Sequence, residues 1–284
     1  MNIRKTTAVA SLPLIGLALT LPPGSAQAST HQHRLGLSLV KARAHQRALR
    51  TSRVVGHPTP VMRVGSLPSS YSLKRYALAP GDQGQVGSCV TWATGYSAYG
   101  ILMKEQGVKG APMAPMYIYS QIARGVDQGT YAAAALTMEQ SQGIDTRSDY
   151  RQGDFDFTSQ PDRHERANAA HYKISGFTDL TAAPDRVAAI KSSIASGLPV
   201  VVGLQIKDSI YALTSTKDLY PNTGTVVGGH EVTIVGYSQD YVTVQNSWGK
   251  SWGNGGFFRI KWNVITGSDT VEINSVGKLV QASA

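Results

Sequence analysis

The sequence predicts an α+β fold, and two observations predict it. Helical spacing of apolar residues dominates the first part, over 89–106, 113–125 and 130–143. Strand-like runs dominate the second, over Leu198–Ile206, Val226–Tyr237 and Tyr241–Gly249. Helices followed by strands, rather than strict alternation, give segregated layers instead of a doubly wound sheet. The chain beyond its first stretch is long enough for one large domain or two small lobes. A hydrophobic content of 42% with 29 glycines fits a globular, loop-rich protein.

The formal charge of +9 is concentrated at the start. Residues 1–63 hold nine basic side chains and no acid, and from residue 64 onward 18 basic residues face 18 acids. The body is therefore neutral, which argues against a nucleic-acid-binding surface on it. Residues 1–28 read as an export signal. Arg4 and Lys5 precede an apolar run Ala8–Leu21, Pro22-Pro23-Gly24 breaks it, and Ala26-Gln27-Ala28 offers cleavage after Ala28. The apolar run is shorter than the roughly 20 residues that span a bilayer, and no later segment spans one either. Expected localisation is secreted or periplasmic. The single cysteine allows no internal disulfide, so the fold must rely on core packing.

Residues 29–66 are basic and carry His31, His33, His45 and His57. Leu35–Arg50 has the spacing of a basic helix with Leu39, Ala42 and Leu49 on one face. Three readings stand: a basic pro-segment covering a site, an arm for anionic surfaces, or an unstructured spacer.

Leu67–Leu73 reads as extended, and Ala79–Ser88 is too rich in glycine for a helix or strand. From Cys89 to Gln106 the residues Trp92, Ala93, Tyr96, Tyr99 and Met103 share a broad helical face. Ser88 is placed to cap this helix and Gly107 to end it. Cys89 then sits at a helix N-terminus, where the partial positive charge favours thiolate. Gln83, six residues upstream, is placed to share an oxyanion hole with the Cys89 amide. Residues 145–166 read as an irregular crossing, and His164 and His171 as surface histidines. The scattered histidines and Cys89 lack metal-ligand spacing, so no metal and no cofactor is expected. Pro184–Gly197 reads as an amphipathic helix with Pro184 in its first turn. In the strand run that follows, Gly203 leaves room for a substrate side chain.

Val226–Tyr237 and Tyr241–Gly249 are joined by the turn Ser238-Gln239-Asp240. As an antiparallel hairpin, this sets His230 opposite roughly residues 246–248 and so beside Asn246. An amide oxygen holding one ring nitrogen leaves the other to face a thiol.

Gln83, Gly87-Ser88-Cys89, His230 and the block Asn246-Ser-Trp-Gly-Lys-Ser-Trp-Gly stand in an order and spacing that resembles the papain-like cysteine peptidases. Cys89 lies 141 residues before His230 and 157 before Asn246. The resemblance covers about residues 67–280. It departs at Val86, where the family has a disulfide-forming cysteine, and at Val90, where it has an aromatic residue. It implies a papain-like two-lobe fold with the active-site cleft between a helical lobe of about 67–160 and a β-barrel-like lobe of about 161–284. It also implies a mature chain starting near Leu67-Pro68, residues 29–66 being a short pro-segment and an intramolecular inhibitor. The implied catalytic residues are Cys89, His230, Asn246 and Gln83. The implied substrate-contacting residues are Gly129, Thr130, Gly203, Gly229, Glu231 and somewhere in 270–276, with Trp248 shielding the His–Asn bond and Glu231 favouring basic side chains. Protein or peptide substrates are expected. The alternatives are another acyl-transfer enzyme, a transpeptidase or deamidase with the same nucleophile, and a silent peptide-binding protein on the same scaffold.

Overall fold

A computed structural model describes residues 33–51 and 67–280. The export signal, its cleavage point after Ala28, His31 and His57 lie outside the described residues.

The first described stretch runs extended from His33 into helix α1 (Leu39–Thr51). Its buried side chains are Ala42 and Gln46. The expected third member of that face, Leu49, is 39% exposed. Gln46 is buried because its amide donates to Asp179 at 2.6 Å, which satisfies a polar group that burial would otherwise penalise.

Cys89–Gln106 is helical throughout but not uniformly. It comprises α2 (Cys89–Thr91), a π-helical stretch over Trp92–Ala98, and α3 (Tyr99–Gln106). Ser88 occupies the N-cap position, yet its side chain makes no cap bond; its hydroxyl points back toward the Val86 carbonyl at 3.5 Å. Gly107 ends the helix with φ 69°, a left-handed conformation that glycine adopts at little cost. Around this buried helix pack α4 (Pro115–Ala123) and α5 (Ala132–Ser141), both shorter than the spacing predicted. Val86 and Val90, the two departures from the family pattern, are both buried in this core. Apolar packing thus stands at Val86 where a disulfide would otherwise brace the loop.

The sheet has eight strands: β1 (Tyr71–Ser72), β2 (Phe177–Asp179), β3 (Val200–Lys207), β4 (Leu219–Tyr220), β5 (Val226–Tyr237), β6 (Tyr241–Gln245), β7 (Phe257–Lys261) and β8 (Thr270–Val276). The order is β2-β8-β3-β5-β6-β7-β4, with β1 on β5. Central β3 is buried along nearly its whole length, as its run of valines requires. The second core lies on this sheet under α7 (Arg186–Ala195). That helix starts later than expected: Pro184 precedes it, and the Asp185 side chain caps it by accepting from Ala188 N at 2.9 Å. Two short helices, α6 (Arg163–Ala169) and α8 (Trp262–Ile265), complete the set.

The chain does not divide cleanly near residue 160. Ala169 and Ile174 belong to the helical core, and so do Val276 and Leu279 near the end. Leu73, in turn, lies in the sheet-side core. Each lobe is thus tied by a strap from the other half of the sequence.

Candidate active site

Cys89 stands at the start of the buried helix and is itself fully buried. His230 lies on β5, and the main chain of its neighbour Glu231 hydrogen-bonds at the Cys89 sulfur. Asn246 follows β6, whose pairing Thr233↔Gln245 carries it back beside β5. The expected hairpin therefore forms, with a bulge between Ile234 and Gly236. His230 Nε2 meets Asn246 Oδ1 at 2.7 Å. The same oxygen accepts from Ser247 N at 2.8 Å, which fixes it as the acceptor side of the amide. Nε2 must then carry the proton, and Nδ1, which has no hydrogen-bond partner, presents a lone pair. Trp248 covers this bond, its ring 4.7 Å from that of His230.

Gln83 is held from three sides. Its amide donates to Val86 O at 2.9 Å and its carbonyl accepts from Ser247 Oγ at 2.7 Å. Its backbone N–H donates to Ser247 O at 2.9 Å. The second amide hydrogen reaches a peptide carbonyl, that of Arg34, at 2.8 Å.

That carbonyl belongs to the segment 33–39, which lies along the whole site. Thr130 pairs with it in parallel fashion, donating to Gly36 O at 2.9 Å and accepting from Ser38 N at 2.7 Å. Leu37 N donates to Gly229 O at 3.1 Å. The His33 ring stacks on Trp248 at 5.3 Å. Gly36 passes so close to the nucleophile loop that a Cβ on it would lie 2.0 Å from Gly87 O. A Cβ on Gly129 would lie 2.3 Å from Gly36 O, and one on Gly203 would lie 2.8 Å from the Leu37 side chain. The positions expected to meet substrate, Gly129, Thr130, Gly203, Gly229 and Trp248, therefore all meet this segment. Glu231 lies behind Gly203, its Oε2 2.5 Å from the place of that missing Cβ.

Covering the site changes its electrostatics. Burial pushes the Cys89 thiol up to about 11, and backbone hydrogen bonds from Glu231, Gly36, Leu37 and Val90 oppose this only in part. The sequence-based expectation of a thiolate at a helix N-terminus thus fails in this form. Desolvation outweighs the helix end. Burial likewise lowers His230 to about 4, the Asn246 hydrogen bond acting in the other direction. Thiol and imidazole are both neutral here.

Three participants escaped sequence reasoning. Leu37 was not singled out because it lies outside the helical periodicity of α1. Asp127 accepts from Gly87 N at 3.1 Å and from the Tyr119 hydroxyl, and pairs with Arg34 at 3.1 Å. Glu272 was only bracketed within 270–276. Among the described residues, no group of three or more histidine, cysteine or acidic side chains could hold a metal ion.

The pattern described for papain family cysteine proteases matches residues 69–277. The chain belongs to that family. An uncharacterized peptidase C1-like protein of Acanthamoeba polyphaga mimivirus is 27% identical over 210 residues, 66% of this chain and 66% of its own. Cathepsin S of Bos taurus is 28% identical over 193 residues, 64% of this chain and 55% of its own. The matched region is thus no more than about two thirds of these relatives' length. Xylellain, a cysteine protease from Xylella fastidiosa, superposes with a TM-score of 0.69 at 19% identity over 81% of this chain and 94% of its own. The fold is papain-like α+β.

Proposed function

We propose that this papain-family chain is an exported cysteine endopeptidase, held silent by its own residues 33–51. The reading is carried by the His230–Asn246 bond, which leaves Nδ1 without a partner on the strand whose next residue, Glu231, meets the Cys89 sulfur through its main chain. With the segment withdrawn, water returns to the cleft and the thiol can pass its proton to His230 Nδ1. The Cys89 thiolate attacks a substrate carbonyl carbon, and the carbonyl π electrons move to oxygen. Gln83 Nε2, which holds the Arg34 carbonyl in the covered form, donates to that oxyanion together with the Cys89 N–H. His230 returns the proton to the leaving amine, the C–N bond breaks and a thioester remains. Water, deprotonated by His230, attacks the thioester; the acid is released and the thiol restored. Asn246 keeps the imidazole in its Nε2–H tautomer throughout.

In the covered form the groups presented to Cys89 include backbone N–H donors of Gly36 and Leu37. The helix α1 that follows buries Ala42 and Gln46 and anchors the segment. Among the described residues no helix is long and apolar enough to cross a membrane; export is inferred from the signal pattern of residues 1–28. The test follows chain mass and hydrolysis of a mixed fluorogenic peptide library together, for the full chain and for Cys89→Ala, in reducing buffer. Loss of the N-terminal segment with library cleavage, both absent in Cys89→Ala, is expected. Cleavage undiminished in Cys89→Ala would remove the mechanism. Transfer to added amines or deamidation without peptide hydrolysis would replace it with another acyl transfer. A displaced segment with no turnover would leave a binding scaffold.

A further inference from the structure

Beneath Leu37 lie two carboxyl groups that the acyl-transfer chemistry does not use. Glu231 on β5 and Glu272 on β8 are 1% and 0% exposed. Gly203, on β3 between them, is the cross-strand partner of both. A Cβ at Gly203 would lie 2.5 Å from Glu231 Oε2, 2.8 Å from Glu272 Cγ and 2.8 Å from Leu37 Cδ2. The absent side chain therefore lets the leucine methyl and the two glutamates converge on one point, more closely than a Cβ would permit.

Those carboxyl groups are poorly provided for. Glu272 Oε1 accepts from Ala132 N at 2.9 Å. Glu231 and Glu272 interact with each other as side-chain hydrogen-bonding partners, and among the described residues neither Glu231 oxygen nor Glu272 Oε2 meets a donor from outside the pair. Asp179 on β2 adds a further negative charge near Glu272, and among the described residues no cation offsets it. Burial, then mutual repulsion, holds Glu231 well above the ordinary carboxylate range, and burial raises Glu272 to about 7. An apolar methyl over the pair leaves it only the interaction between its own two members, whereas a cation would satisfy both.

We propose that this pocket selects a lysine or arginine side chain of the substrate, at the residue that takes Leu37's place beside Thr130 and Gly229, and that Leu37 is a neutral stand-in matched to the pocket's shape but not to its charge. The inference rests on the peptidase reading for the word substrate, and on the pocket alone for the preference. A lysine carries two heavy atoms beyond the leucine methyls, which brings its ammonium to the carboxyl oxygens. A leucine plug fills the space without satisfying the charge, so a basic substrate can displace it.

The experiment uses the full chain with Cys89→Ala, which keeps it intact. Hydrogen exchange of residues 33–39 at pH 8 is compared for Leu37, Leu37→Lys and the neutral, unbranched Leu37→Met, each with and without Glu231→Gln/Glu272→Gln. Exchange at least tenfold slower in Leu37→Lys than in Leu37→Met is expected with both glutamates present, and the order should reverse with both glutamines. Exchange as fast in Leu37→Lys as in Leu37→Met, or a lysine benefit that survives both glutamines, overturns the proposal. A second arm gives processed enzyme with native Cys89 two peptides differing only as lysine or leucine at that residue. At least tenfold higher kcat/KM for lysine, lost in Glu231→Gln/Glu272→Gln, is expected; equal values overturn it. Cleavage of neither peptide would sink the peptidase reading and leave the exchange arm to decide the pocket.

Discussion

Leu37→Ala should loosen the covering segment by an amount the structure allows to be worked out. Leu37 is 5% exposed, its side chain seated against Gly203 and its N–H bonded to Gly229 O. Truncation to alanine removes about three methylene equivalents, about 2.4 kcal/mol at roughly 0.8 kcal/mol each. A rigid core would add a cavity cost, but an extended segment on a surface can settle, so about 2–3 kcal/mol applies. At 1.4 kcal/mol per decade this raises the opening constant about 30- to 150-fold. Cys89 reports opening, because it is the only cysteine, fully buried, and held as a thiol by burial. The assay is the rate of iodoacetamide addition followed by intact mass, scoring only chains that still carry the segment. Labelling of Leu37→Ala should run about 30- to 150-fold faster than wild type, with unchanged circular dichroism. Rates within twofold of each other in two folded proteins would refute the reasoning, as would wild-type labelling at the speed of a free thiol.

Gly36→Val should abolish docking altogether, since its Cβ would meet Gly87 O at 2.0 Å; limited proteolysis should then cut within 33–51 while residues 67–280 stay resistant. Gln83→Ala should lower kcat of the processed enzyme by about 10²–10³ with a smaller change in KM, as for a lost oxyanion donor; an unchanged kcat would return Gln83 to a purely structural role. Closure should weaken as pH rises. The carboxyl of Glu272, raised to about 7 in the covered form, favours closure at low pH and loses it as pH climbs from the ordinary carboxylate range through 7. His230, lowered to about 4, works the other way, favouring closure at high pH and losing it as pH falls from about 6.5 through 4. Glu231, also raised, acts in the same direction as Glu272. Cys89 labelling should therefore climb more steeply than the tenfold per pH unit of simple thiol ionisation, and Glu231→Gln should return it toward that slope.

What the sequence determined by itself was whatever local chain geometry enforces. A glycine-rich loop running into a helix placed Gln83 and Cys89, and one hairpin turn set His230 against Asn246, because two-strand register follows from the turn. Family membership was readable from those same short blocks. Tertiary structure decided the rest. The segment 33–39 finds Thr130 and Gly229 only through long-range pairing, for which no periodicity near Leu37 gives notice. Glu231 and Glu272 meet across Gly203 because β3 lies between β5 and β8, an order of strands that local pattern does not specify. The state of the nucleophile also belonged to the fold. A helix start argued for thiolate, but burial under Gly36 and Leu37 removes the water a charged sulfur needs, and that desolvation cost exceeds what the helix end returns.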